Sequence, residues 1–466
     1  MCMLIQLIIV AFLGLGGCAL HAAEVTLAPD GSLVVDGNRV FIMGSYMVPD
    51  DLAMRQRMRQ AGFNMLRGSR DRKTLDRLYR EGFLTWIYTP ELRVDDGEDN
   101  GEARLRGIVE SIGNHPAVVV WEGPDEALWN AWYSRRTGLW KARADAIEAV
   151  DAMQDARQRT HLKEKIKKIR NAELRAEFVK VERLFDELLA TLGRPPLMDG
   201  QRVTTAPAAA KKVRAECDLG ISILRRLDKR SLPIWMNHAP RNTLLDLRDF
   251  SKAYDIVGCD IYPAPAGEDS GNGDLSNRSL SSVGDFTERM KSIAPGRAVW
   301  MVPQGFGWED LFGDAYKADG RRPTRSEMRF MLWETIVHGA RGVLIWGLDA
   351  SSDPPDFHES VLDVVSEIGS VMPFLAAPDE PLQLRTAPTW SSLDHPPVGI
   401  LRRHEDTYLL AIANEARDGL KVIADDLPVP NGTPARDLDG TIVARVTEDG
   451  LVVPMASFSV AVLQLR

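Results

Sequence analysis

Cysteine is scarce in this chain: four among 466 residues, two of them, Cys2 and Cys18, at the very start. The other two, Cys217 and Cys259, have no metal-type spacing; this excludes a disulfide framework and points to buried thiols. Positive charge is not in excess, since 57 Lys and Arg face 66 Asp and Glu for a net charge of -9. No basic run is flanked by base-stacking aromatics, so nucleic acid is excluded as a partner. Beyond Ala23 no apolar run is long enough to cross a bilayer. Tryptophan, by contrast, is plentiful at eleven residues, and flat aromatic rings make platforms for sugar faces. Hydrophobic and charged contents of 44% and 26% are those of a globular protein with a sizeable core. The length fits a barrel with a satellite domain better than one small domain.

Residues 1–23 read as an export signal, with apolar Leu4 to Leu15 followed by small residues, although no Lys or Arg precedes them. Leu15-Gly-Gly-Cys18 has the form of a bacterial lipobox, which would make Cys18 a lipidated N-terminus; cleavage near Ala22 or Ala23 is the alternative. Both routes place the mature chain in the periplasm, outside the cell or tethered to the envelope. A lipid anchor would then be the one membrane contact. No motif speaks to oligomeric state.

Short apolar or β-rich runs recur in a helical background. They are Val40 to Tyr46, Phe63 to Arg67, Phe83 to Tyr88, Ala117 to Trp121, Pro233 to His238, Asp255 to Tyr262, Ala298 to Pro303 and Gly342 to Trp346. Most are followed by a polar turn and a segment with helical spacing, such as Asp50 to Ala61 or Thr324 to His338. Eight strands alternating with helices predict an α/β fold, a TIM (β/α)8 barrel over residues 24–380. Active sites of such barrels lie at the C-terminal strand ends. The residues closing each run are therefore candidates as a group: Tyr46, Arg67, Tyr88, Glu126, Asn237, His238, Asp260, Tyr262, Gln304 and Trp346.

Two segments depart from a minimal barrel. Residues 132–192, rich in Ala, Glu, Lys and Arg, predict one or two long amphipathic helices inserted after strand four, with a solvated charged face. From residue 381 to 466 alternating strands with turns predict a C-terminal antiparallel β-sandwich in a structural role.

The most telling stretch is His115-Pro-Ala-Val-Val-Val-Trp-Glu-Gly-Pro-Asp-Glu126. An apolar run ends in a Gly-Pro turn bearing two adjacent carboxylates, Asp125 and Glu126. Adjacent carboxylates repel, so one of them can hold its proton near neutral pH, as a general acid must. Together with Val35 to Tyr46, Ala61-Gly-Phe-Asn-Met-Leu66, Asp255 to Pro263 and Arg341 to Trp346, this stretch resembles the clan of (β/α)8 retaining glycoside hydrolases. The likeness is greatest to exported bacterial glycosidase-like or β-galactosidase-like proteins and spans most of residues 33–350.

That resemblance implies a carbohydrate substrate, no cofactor, and Glu126 as the acid/base that protonates the glycosidic oxygen and later deprotonates water. It implies that Asp125 holds ring hydroxyls or tunes Glu126. The clan's nucleophile is a Glu ending the seventh strand, where this chain has Gln304 in Met301-Val-Pro-Gln-Gly-Phe-Gly-Trp308. A neutral amide cannot form the glycosyl-enzyme ester in the usual way. Three alternatives follow. Another carboxylate serves, Asp260 first and then Glu309 or Asp349; a 2-acetamido group of the substrate assists, polarised by Asp125; or catalysis is lost and the cleft binds sugar. Trp129 and Trp308, in loops beyond strand ends, are the sugar-stacking candidates, with Trp346 at a strand end. Tyr46, Arg67, Asn237, His238 and Tyr262 are candidate substrate ligands. His238 has no second His or Cys near it in sequence, so no metal is expected.

Overall fold

The computed structural model describes residues 22–95, 97, 100–266, 277–313, 319–349, 354–387 and 395–466. The expected export signal, with Cys18, lies almost wholly outside the described residues. Eight parallel strands close into a barrel in strict chain order. They are β1 (Ile42–Ser45), β2 (Met65–Arg67), β3 (Leu84–Tyr88), β4 (Val118–Glu122), β5 (Ile234–His238), β6 (Ile256–Ile261), β7 (Ala298–Pro303) and β8 (Gly342–Ile345). Each strand falls in one of the eight apolar runs, except that β4 runs one residue further, to Glu122. The reason is physical: a parallel strand buried on both faces needs apolar residues at every position, and β4 and β5 are buried throughout.

Within the strands, period-two alternation sorts side chains between barrel interior and helical shell. Trp86, Trp235 and Trp300 fill the interior, with neighbouring ring centroids 6.1 and 5.8 Å apart. Such bulk demands compensation next door. A Cβ on Gly342 would lie 2.5 Å from the Trp300 ring, and one on Gly258 only 1.5 Å from the Trp300 carbonyl oxygen. Glycine at these two positions lets β8 approach the Trp300 indole and β6 approach the β7 backbone.

The segment after β4 differs from the expected pair of helices. Three helices follow, Ala127–Asp151, Ala156–Leu174 and Phe178–Thr191, and the first starts directly at the acidic turn. Asp155 caps the second by accepting from the backbone N–H of Arg157 and Gln158. The helices bury a core of their own around Leu139, Val150, Leu162, Ile169, Phe185 and Leu188. The segment is thus a folded subdomain as well as a charged surface.

A three-stranded antiparallel sheet over residues 25–40 precedes the barrel. The C-terminal region contains two antiparallel sheets, of six and three strands, closing on Leu401, Leu410, Ile412, Val422, Leu451 and Leu463. Strand Leu451–Met455 alternates buried and exposed, as a strand with one face on a core must. Arg341, beside the start of β8, ties these parts together: it pairs with Asp379 at 2.9 Å and Asp30 at 3.3 Å, while buried Arg402 holds the other oxygen of Asp379 at 2.7 Å. Among the described residues no helix is long and apolar enough to cross a membrane.

Candidate active site

β4 ends at Glu122, and Gly123-Pro124 turns the chain so that Asp125 and Glu126 stand immediately before the 25-residue helix Ala127–Asp151. Glu126 adopts a left-handed backbone conformation, φ 47°, which costs a non-glycine residue on the order of 1 kcal/mol. Asn237 at the end of β5 holds the turn there. Its carbonyl oxygen accepts from the Glu126 backbone N–H at 3.1 Å, and its side-chain amide donates to Asp125 Oδ1 at 2.9 Å. The following helix N-terminus favours negative charge at this spot.

The two carboxylates open onto a cleft of about 410 Å³ at the C-terminal end of the barrel. Its floor is carboxyl and amide: Asp125, Glu126, Asp260 from β6, and Asn237. Its walls are aromatic. Tyr262 and Trp346 stack at 5.6 Å on one side with Phe306 and Trp308 beside them. Opposite, Trp129 stacks on Tyr133 at 5.3 Å and carries the Arg241 guanidinium 5.6 Å above its ring. A hollow of about 330 Å³ in the inserted helices and another of about 530 Å³ on the sandwich lack this combination of converging carboxyls and aromatic walls.

Electrostatics single out one pair. Glu126 and Asp260 face the same cleft, and each carboxyl perturbs the other's charge. Asp260 keeps part of its surface open to the cleft yet is ringed by protein. That desolvation, then the Glu126 charge, raises its pKa well above the usual carboxylate range. Burial likewise raises Glu126, less strongly. Asp260 therefore holds its proton more tightly than Glu126 does, while its Oδ1 has no hydrogen-bond partner. Burial also raises Asp125, although water in the cleft mouth screens its exposed side chain, and Asn237 and Arg67 pull it back. Beneath them Glu122 is fully buried, accepting from Tyr46 Oη at 3.2 Å and Trp86 Nε1 at 3.0 Å. Desolvation, then the Asp125 charge, pushes it up to about 8.

Of the residues singled out from sequence, Tyr46, Asp125, Glu126, Trp129, Asn237, Asp260, Tyr262, Trp308 and Trp346 line this cleft. Arg67 sits behind it, its guanidinium 4.8 Å from the Tyr88 ring centroid and 5.8 Å from that of Tyr46. Two candidates are corrected. His238 does not reach the cleft: it faces the helical shell, 3.0 Å from Ser251 Oγ and edge-on to Phe250, and burial drives its pKa down to about 3. Gln304 is a buried backbone clamp rather than a substrate ligand. Its Oε1 accepts from Ala264 N–H at 2.9 Å, and its Nε2 donates to the carbonyls of Ala264 and Phe306 at 2.8 and 2.9 Å. Glu309 and Asp349 are not among the cleft walls, and Glu309 instead accepts from Gly320 N–H at 3.3 Å.

Sequence reasoning missed Glu122, Trp86, Tyr133, Phe306 and Arg241. Glu122 carried a usable signal, a lone carboxylate closing an apolar run; the others lie in helix, strand or loop with nothing to mark them.

No family model and no curated protein sequence matches the chain. Solved structures do. Gan42B, a GH42 β-galactosidase from G. stearothermophilus, superposes with TM-score 0.52 at 9% identity over 96% of this chain and 99% of its own. A β-galactosidase from Bacillus circulans sp. alkalophilus gives 0.50 at 10% identity over 92% and 99%. The chain spans 59% and 56% of the β-galactosidases from Marinomonas ef1 and Rahnella sp. R3, with TM-scores of 0.44 and 0.41. At these identities the likeness defines the fold alone. The chain has a (β/α)8 barrel followed by C-terminal antiparallel sheets, the fold it shares with these structures.

Proposed function

We propose that this chain hydrolyses O-glycosidic bonds of an oligo- or polysaccharide, with Glu126 as general acid/base. The observation that carries the reading is the convergence of the Glu126 and Asp260 carboxyls on one cleft, from the ends of β4 and β6 under aromatic walls. Two interacting carboxyls lose their protons in two separate steps, so the pair keeps one proton over a range where a solvated carboxylate has none. Glu126 takes that proton from Asp260, passes it to the leaving glycosidic oxygen, and then takes one from water.

Asp260 is not placed as the nucleophile of a retaining enzyme. Desolvation raises Asp260 well above the usual carboxylate range, and a carboxyl that keeps its proton is a poor nucleophile. Its role is to share the proton. Asp125, fixed by Asn237, then serves the substrate: it holds ring hydroxyls, or the N–H of a 2-acetamido group whose oxygen attacks the anomeric carbon. A second reading, a carbohydrate-binding protein without turnover, is favoured by the commitment of Gln304 to backbone. Aryl glycosides, N-acetylhexosaminides among them, and polysaccharides tested for product release and for binding in parallel separate the two. Release of product from at least one is expected; binding without release from any supports the second reading. Envelope localisation is part of the proposal and rests on the N-terminal apolar segment and Cys18.

A further inference from the structure

We propose that Glu334, His338 and Glu415 form a divalent-cation site of the zinc class, joining the C-terminal sandwich to the barrel. The site lies outside the cleft and is independent of the glycosidase reading. Glu334 and His338 stand one turn apart at the end of barrel helix Arg325–Val337, and Glu415 follows sandwich strand Thr407–Asn414. All three are buried, and their ligand atoms lie within 4.8 Å of one another.

Two observations point to a cation. Glu334 is 0% exposed, yet neither of its carboxylate oxygens receives a hydrogen bond. A buried carboxylate in that state is costly unless it meets a positive charge. The nearest, His338 Nε2, is 3.6 Å away and already engages Glu415 Oε1 at 2.5 Å. Next, the other imidazole nitrogen of His338 faces Glu288 Oε1 at 3.2 Å, the carboxylate–histidine arrangement that orients a metal-binding imidazole. Gly284 packs its backbone tightly against the pair: a Cβ there would clash, 2.4 Å from His338 Nε2 and 2.6 Å from Glu334 Oε1.

The geometry needs small adjustment. Ligands about 2.0–2.2 Å from a zinc ion stand roughly 3–4 Å apart, which the 3.6 Å His338–Glu334 separation meets; the 2.5 Å His338–Glu415 contact must open by about 0.5 Å or more. His395 Nδ1 lies 3.3 Å from Glu415 Oε2 and orients that carboxylate. One imidazole with carboxylates suits zinc better than the all-oxygen cations. The helix C-terminus adds its own preference for positive charge.

The test uses the full chain purified without a histidine tag. Elemental analysis is expected to give about one zinc per chain, and chelation should lower the thermal midpoint, with Zn²⁺ restoring it. Co²⁺ loaded into the chelated protein should give visible d–d absorption. His338→Asn and Glu415→Gln should each weaken Zn²⁺ binding about tenfold or more. Metal-free protein whose midpoint ignores chelator and Zn²⁺, and which gives no Co²⁺ bands, overturns the proposal; these wild-type readouts decide it even if a variant fails to fold.

Discussion

Replacing Glu122 by Gln should make the protein more stable in alkali and leave it nearly unchanged in acid. Glu122 lies fully buried under the cleft floor with its carboxyl raised from an ordinary 4.5 to about 8. Between those pH values the folded chain keeps a proton that the unfolded chain has lost. Stability therefore falls as pH rises through this window, and the loss is complete above pH 8. At 1.36 kcal/mol per pH unit the loss is on the order of 4–5 kcal/mol. Gln is nearly isosteric and neutral at every pH. Its Oε1 can accept from Trp86 Nε1 and its amide can donate to Tyr46 Oη, replacing both bonds that Glu122 makes. Denaturant titrations at pH 5 and pH 8.5, followed by tryptophan fluorescence, read the difference. The expected gain from Gln at pH 8.5 is a few kcal/mol, with little at pH 5. An equal effect at both pH values would refute the buried, proton-holding Glu122.

Gln304→Glu, which restores the residue type of the retaining clan, should destabilise rather than activate. It replaces two donors to the carbonyls of Ala264 and Phe306 with an anion, at a cost of about 3 kcal/mol or more, and turnover should not rise. A lowered thermal midpoint with unimproved activity is the outcome expected; a gain in rate would show that position 304 faces substrate. Phe185→Ala empties the core of the inserted helices and should cost about 3–5 kcal/mol there. Limited proteolysis should then cut within residues 127–192 first, and cleavage beginning in the barrel would contradict an insertion core separate from it.

The barrel was legible because parallel strands leave a continuous apolar trace, and the acidic turn because Gly-Pro interrupts that trace abruptly. What was not legible depended on facing and on distant partners. Asn237 and His238 both close β5, but neighbours in a strand point to opposite faces, so only one could reach the cleft. Trp235 and Asn237 share the inner face and His238 takes the outer. Gln304 resembled a displaced nucleophile because its partner Ala264 lies 40 residues away in sequence. The number of inserted helices escaped because the breaks near residues 152–155 and 175–177 contain neither Pro nor Gly. Asp155 was the one cap that could have marked the first. The cluster at Glu334, His338 and Glu415 joins two domains and has no local signature at all.

The central claim is that Glu126 moves the proton and Asp260 shares it. The most direct measurement is the pH–rate profile of wild type, Glu126→Gln and Asp260→Asn on the best substrate from the panel. Glu126→Gln should fold normally and lose about 10²–10⁴-fold in turnover. Asp260→Asn replaces a carboxyl with an amide that donates to ionised Glu126, so the alkaline limb of its profile should move to lower pH. A Glu126→Gln enzyme that keeps turnover within about twofold of wild type would contradict the account.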